Sequence, residues 1–131
     1  LRLRATYDDK EYYCKDTFFV AHLNDNLKKD YNIKFFLALL NSKLLHYYYA
    51  NIYKGTHIAG GYLHYLIGYL NSIPIAIPTK KQQSGLVALV EKIISSKEEK
   101  EYANTDKKID ELVYAIYGLN EQEIKIANSF I

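Results

Sequence analysis

The stretch YYCKDTFFVAHL, Tyr12 to Leu23, decides how the chain is read. Half of it is aromatic or β-branched, the composition that suits a pleated, half-buried surface. Upstream, LRLRATY alternates, with Leu1, Leu3 and Ala5 on one side and Arg2, Arg4 and Thr6 on the other, which predicts a strand with one buried face. DDKE, Asp8 to Glu11, reads as the turn between them, so Tyr12 to Leu23 is expected to add one or two strands. NDNLKKD, Asn24 to Asp30, is polar and turn-like and closes this first part.

From Tyr31 the period becomes helical: Ile33, Phe36, Leu37 and Leu40, then Leu44, Leu45, Tyr48 and Ile52, recur at three- and four-residue steps. Asn41-Ser42 lies midway and can cap a second helix, so one long helix and two short ones are both open. Gly55, Gly60 and Gly61 then break the helix. YLHYLIGYL, Tyr62 to Leu70, fits either a helical turn or a strand. IPIAIP, Ile73 to Pro78, is expected to be extended, as an edge strand, because the residue before a proline avoids helical angles and proline cannot sit inside a ladder.

Thr79 with Gln82 has the form of a capping box, opening a helix whose stripe is Leu86, Leu89, Val90, Ile93 and Ile94. SKEEKEYANTDKK, Ser96 to Lys108, reads as a solvated stretch, helical or kinked around Asn104-Thr105. Ile109, Leu112, Val113, Ile116 and Tyr117 form a second stripe, Gly118 is a natural stop, and Asn120 with Glu123 caps a last short helix. The order predicts an α+β fold: a small mixed or antiparallel sheet with packed helices, followed by a C-terminal helical hairpin. Residues 1–79 would form the α/β unit and residues 80–131 a helical spacer or docking segment, within one compact domain.

A chain of 131 residues suits one hydrophobic core, and 49% apolar with 24% charged residues is a globular balance. It begins at Leu1 and contains no Met, so it is expected to be a piece of a longer protein. Cys14 is the only cysteine, which excludes an internal disulfide and fits a reducing cytoplasm. Apolar runs such as Phe35 to Leu40 fall far short of a membrane span and no signal peptide is visible, so a cytoplasmic protein without a membrane partner is expected. The net charge of +2 is uneven: residues 1–79 carry nine Lys/Arg against six Asp/Glu, residues 80–131 eight against nine. Residues 31–79 contain no acid at all, but hold Lys34, Lys43, Lys54, three of the four histidines and eight of the fourteen tyrosines. A polyanion would meet no repulsion there, although a Tyr-rich core with few charges of any kind has the same composition.

Catalytic chemistry finds no foothold in the sequence. Cys14 has no local signature, and His46, His57 and His64 lack metal-site spacing. Gly60-Gly61 precedes no Gly-Lys-Ser/Thr. Glu123-Ile124-Lys125 imitates the end of a nuclease motif but falls on a predicted helix. A methyl-donor glycine motif and an Asn/Asp-Pro-Pro-Tyr run are both missing, so this chain is expected to be no enzyme by itself, with no metal and no cofactor of its own.

Taken in order, TYDDKEYYCKDTFFVAHL, FFLALLNSKLLHYYY, YKGTHIAGGYLHYLIGYLNSIPIAIP, the helix capped at Thr79 and IDELVYAIYGLNEQEIKIANSF resemble a TaqI-like specificity domain. Such domains end type IIG restriction–modification enzymes and related DNA adenine methyltransferases, and LLNSKLL and IPIAIP are shared more loosely with type I specificity subunits. The resemblance implies a target-recognition domain for double-stranded DNA. It also implies an upstream domain of the same chain that uses S-adenosylmethionine to methylate adenine N6, with Mg2+ where a nuclease is attached. It transfers a role and an architecture but no residue-level code, because base-reading positions differ between members.

The residues for binding therefore come from chemistry. Arg2, Arg4, Lys10, Lys15, Lys43 and Lys54 are the candidates for phosphate contact, and Thr56, His57, Tyr62, His64 and Tyr65 for base reading, with Gly55, Gly60 and Gly61 shaping the loop. Tyr47, Tyr48, Tyr49 and Tyr69 lie on periodic segments and read as core or boundary residues. Two rival functions remain: an oligomerisation module pairing through the stripes at 86–94 and 109–117, and an RNA-binding module using exposed tyrosines.

Overall fold

The structure, a computed structural model, describes residues 3–16, 18–53, 57–58, 62–63, 65–96 and 99–130, with the backbone alone at 57–58, 62–63 and 99–100. Its elements in order are α1 (Ile33–Asn41), α2 (Lys43–Ile52), β1 (His57–Ile58), β2 (Tyr62–Leu63), α3 (Ile67–Leu70), α4 (Lys80–Ser95), α5 (Glu99–Tyr117) and α6 (Glu121–Ser129).

The periodic segments fold as helices for the reasons their sequence contains. Asn32 caps α1 by accepting from the Lys34 N–H, at 2.9 Å. Ser42 does two jobs: its N–H donates to the Leu39 carbonyl, ending α1, and its Oγ accepts from the Leu45 N–H at 3.3 Å, starting α2. Two short helices therefore replace one long one. Thr79 and Gln82 form the capping box of α4, and Asn120 and Glu123 that of α6. Gly118 ends α5 at φ +69°, with the Leu119 N–H on the Tyr114 carbonyl and the Gly118 N–H on the Ala115 carbonyl. That bonding pattern is a Schellman motif, which a residue with a Cβ would strain.

Helix α4 lies between α1 and α5. Gly85 faces Leu112, and Lys92 bridges Glu101 at 2.8 Å, so α4 and α5 run antiparallel. Phe35 and Leu39 of α1, Leu45 and Tyr49 of α2, Leu86 and Val90 of α4, and Ile109 and Val113 of α5 form one buried cluster. The stripes once open to a coiled-coil partner are used inside the chain, only Ile94 standing out at 52% exposure. Helix α5 runs unbroken through Asn104-Thr105, and Thr105 is buried. Helix α6 closes against α2, with the Phe130 ring edge-on to Tyr47 at 5.2 Å and the Tyr114 hydroxyl donating to Asn128 Oδ1 at 3.0 Å.

The expected α+β fold, with a small mixed or antiparallel sheet, is not the one adopted; the fold is helical. The strands described are two residues each, β1 against β2 antiparallel with His57 opposite Leu63, too short to form a layer. Local bonding explains the loss at Tyr12 to Leu23. Asp8 accepts from the Lys10 and Tyr12 N–H groups, Glu11 takes φ +55°, and the Phe18 N–H turns back to the Lys15 carbonyl. No run among the described residues pairs with the segment, and Tyr12, Tyr13, Phe18, Phe19 and Val20 are all exposed. Leu3 to Thr6 does alternate, Leu3 and Ala5 being half-buried and Arg4 and Thr6 exposed. Its partner is a side chain: Asn41 accepts from the Ala5 N–H and donates to the Ala5 carbonyl, both at 3.0 Å. IPIAIP is no edge strand either. It is a strap, held by buried Ile73 and by the Tyr117 hydroxyl, which donates to the Pro74 carbonyl at 2.9 Å.

The cluster predicts opposite outcomes for two residues of one sequence stripe. Leu86→Ala, at a fully buried site, should cost about 2–5 kcal/mol, whereas Ile94→Ala should cost well under 1 kcal/mol. Urea denaturation followed by circular dichroism measures both.

Candidate nucleic-acid interface

Four tyrosines tie the end of α2 to residues 65–69, the two flanks of residues 54–64 in the middle of the acid-free stretch. Tyr49 and Tyr53 are one turn apart on α2 and its cap; Tyr65 and Tyr69 have the same spacing beyond the segment. Tyr65 stacks on Tyr49 with ring centroids 4.8 Å apart, and Tyr69 stacks on Tyr53 at 4.1 Å with the planes 11° apart. Tyr49 and Tyr53 also touch each other, at 4.8 Å. Two hydrogen bonds lock the register: the Leu66 N–H donates to the Tyr49 hydroxyl at 3.3 Å, and the Tyr53 hydroxyl donates to the Tyr69 carbonyl at 3.4 Å. Between the clasped ends, β1 and β2 pair.

The base-reading candidates fall unevenly on this frame. His57 is registered against Leu63, and Tyr62 against Ile58, so the two are not cross-strand partners. Thr56 and His64 lie outside the described residues, as do Lys54, Gly55, Gly60 and Gly61. Tyr65 belongs to the clasp: its ring is half-buried on Tyr49, and its buried hydroxyl has no hydrogen-bond partner among the described residues. It supports the segment's exit.

The phosphate candidates separate into different regions. Arg2 lies outside the described residues. Arg4 and Lys43 sit near the α1–α2 junction, Arg4 beside the Ala5 that Asn41 clamps, and Lys43 as the first residue of α2, its N–H donating to Asp110 Oδ1 at 2.8 Å. The ten residues of α2, about 15 Å of helix, stand between Lys43 and the clasped segment. Lys10 and Lys15 are exposed on an arm that also carries Asp8, Asp9, Glu11 and Asp16, and Lys10 Nζ is 3.8 Å from Asp9. That arm is net acidic and a poor surface for phosphates. Sequence reasoning read Tyr49 and Tyr69 as core or boundary residues but missed Tyr53 and the pairing of the four rings. The signal was present as two tyrosine pairs, each spaced by four residues.

Burial raises the pKa of Tyr49, in spite of the Leu66 N–H, and it raises those of Tyr65 and Tyr117 as well. A phenol kept neutral by the fold but ionising at about 10 once unfolded stabilises the fold fully below that pH and loses the contribution as pH rises towards the folded value. Phenolate absorbance should therefore show a late-titrating class of tyrosines whose ionisation coincides with loss of helical circular dichroism. Complete tyrosine ionisation with the helices intact would refute the clasp.

No described helix is long and apolar enough to cross a membrane. No curated protein and no solved structure matches the chain. A family model, the TaqI-like C-terminal specificity domain, matches residues 1–75, which include α1, α2, the β pair and α3 with all four tyrosines of the clasp. That is more than half of the 131 residues, and the chain belongs to the TaqI-like C-terminal specificity domains, non-catalytic modules that supply DNA-sequence specificity in restriction–modification enzymes.

Proposed function

We propose that the chain is the target-recognition domain of a type IIG restriction–modification enzyme, and that the segment between the tyrosine pairs reads duplex DNA. The observation that carries this reading is the clasp. It holds both ends of a segment that has no acidic residue, contains Lys54, Thr56, His57, Tyr62 and His64, and belongs to a specificity-domain family. Thr and His exchange hydrogen bonds with base edges, Thr and Tyr methyl or ring surfaces meet thymine methyls, and Lys54 contacts phosphate. Gly55, Gly60 and Gly61 let the backbone come close to the duplex. Arg4 and Lys43, on the far side of α2, would extend phosphate contact along the DNA.

The chemistry belongs, in this reading, to a preceding adenine-N6 methyltransferase domain, since the chain has neither a methyl-donor glycine motif nor an Asn/Asp-Pro-Pro-Tyr run. S-adenosylmethionine would be held there, with Mg2+ where a nuclease accompanies it. The work of this chain is to bind and orient the duplex so that the target adenine faces that domain.

Lys54→Ala combined with His57→Ala should weaken binding or change the recognised site in an intact enzyme carrying the domain. Retention of both the site and the affinity would remove the segment from the reading. The isolated chain should bind a mixed-sequence duplex weakly and lose affinity steeply with salt, and an equal length of single-stranded RNA should compete poorly. Preferential binding of the RNA would favour the rival function.

A further inference from the structure

The bundle brings several helix ends to one pole. Gln83, in the first turns of α4, accepts from the Asn32 N–H at 2.8 Å and donates to the Asp30 carbonyl at 3.0 Å, so the start of α4 sits beside the start of α1. Antiparallel α5 brings Tyr117 to the same pole, where it holds Pro74 of the strap that leads into α4. The strap follows α3, which the clasp ties to the end of α2. The two ends of the proposed reading segment and the Gln83 contact thus share one pole of the helical unit.

The lysines at that pole are not among the phosphate candidates drawn from the sequence. Lys29 is exposed on the turn before α1, and Lys80 and Lys81 are exposed on the first turn of α4, which contains no acidic residue. A shallow groove of about 430 Å³ lies between the two elements, lined by Lys29, Asn32, Gln83 and their neighbours. Of the nearby acids, Asp25 bridges Lys28 at 2.7 Å, Glu91 bridges Lys34 at 2.9 Å and Glu123 accepts from the Asn120 N–H, leaving Asp30 and Glu121 without an ion pair among the described residues. Lys29, Lys80 and Lys81 have no ion pair among the described residues either. Exposed ammonium groups without local carboxylate partners are those whose counterions a phosphate backbone can release.

We infer that Lys29, Lys80 and Lys81 form a second phosphate-contacting face, which grips the DNA backbone next to the base pairs read by the segment between the tyrosine pairs. The inference rests on the DNA-reading function proposed above and extends its footprint to α4, beyond the part of the chain that the family model matches. Such contacts position the duplex without reading it, so they should act alike on every sequence.

The test is the slope of log affinity against log salt for the chain and a 30-base-pair mixed-sequence duplex, measured for three proteins of verified helical content. The triple variant Lys29→Gln, Lys80→Gln, Lys81→Gln should lower the slope by about two to three, one unit or slightly less for each phosphate no longer neutralised. A control triple, Lys107→Gln, Lys108→Gln, Lys125→Gln, removes equal charge from exposed positions on α5 and α6 and should leave the slope near that of the parent chain. An unchanged slope in the first triple, or equal falls in both, overturns the inference while leaving the reading segment in place. Failure of the parent chain to bind the duplex overturns the DNA-reading function itself and the inference with it.

Discussion

Helix α2 can carry its tyrosines to residues 65–69 because its first turn is satisfied from two sides. Ser42 supplies the local cap, and Asp110, reaching across from α5 and almost fully buried, accepts from the Lys43 N–H. A buried carboxylate is costly unless donors surround it, and the start of a helix offers free N–H groups together with the positive end of the helix dipole. The contact settles where α1 stops, where α2 starts and how α2 lies on α5. The direction of α2 in turn places Tyr49 in the core and Tyr53 against Tyr69. Without that junction, the ends of the proposed reading segment would have no fixed support.

A second constraint recurs in the irregular parts. Where a sheet would satisfy backbone groups with a neighbouring strand, this chain uses amide side chains. Asn41 both accepts from and donates to Ala5, and Gln83 does the same across Asp30 and Asn32. A carboxamide presents one acceptor and one donor group in nearly the spacing of a peptide unit, so it can complete a ladder position alone. Both clamps issue from helices, which explains how extended segments are held in a fold without a sheet layer.

Sequence legibility follows from where the deciding interactions lie. Helix starts and stops were readable because they are local: Thr79 with Gln82, Asn120 with Glu123, and Gly118 act within one turn. The apolar stripes were readable because Leu86, Val90, Ile109 and Val113 bury one face at helical spacing. The strands were misread because β-propensity describes fitness for a pleated neighbour and does not supply one. Tyr12 to Leu23 has the composition of a strand, but the Asp8 and Lys15 turns break it, and Leu3 to Ala5 meets an amide where a strand was expected. The candidate interface was half legible. Acid depletion marked the segment, whereas the clasp depends on contacts between Tyr49 and Tyr65 and between Tyr53 and Tyr69 that periodicity alone cannot assign.

In the proposed function, the clasp does the holding and the interval between its ends does the reading. Its described rings and hydrogen bonds join residues 49–53 to residues 65–69, and none of them runs through residues 54–64. Stacked rings and helix caps carry the described support, and chemical variety can concentrate in the short stretch between them. A specificity domain needs that division, because a new DNA sequence must be read without redesigning the support, and each reading side chain must still arrive at the duplex from a known position. Phosphate contacts fit the same logic when they come from helices outside the interval, since a grip indifferent to sequence can stay constant while the reader changes.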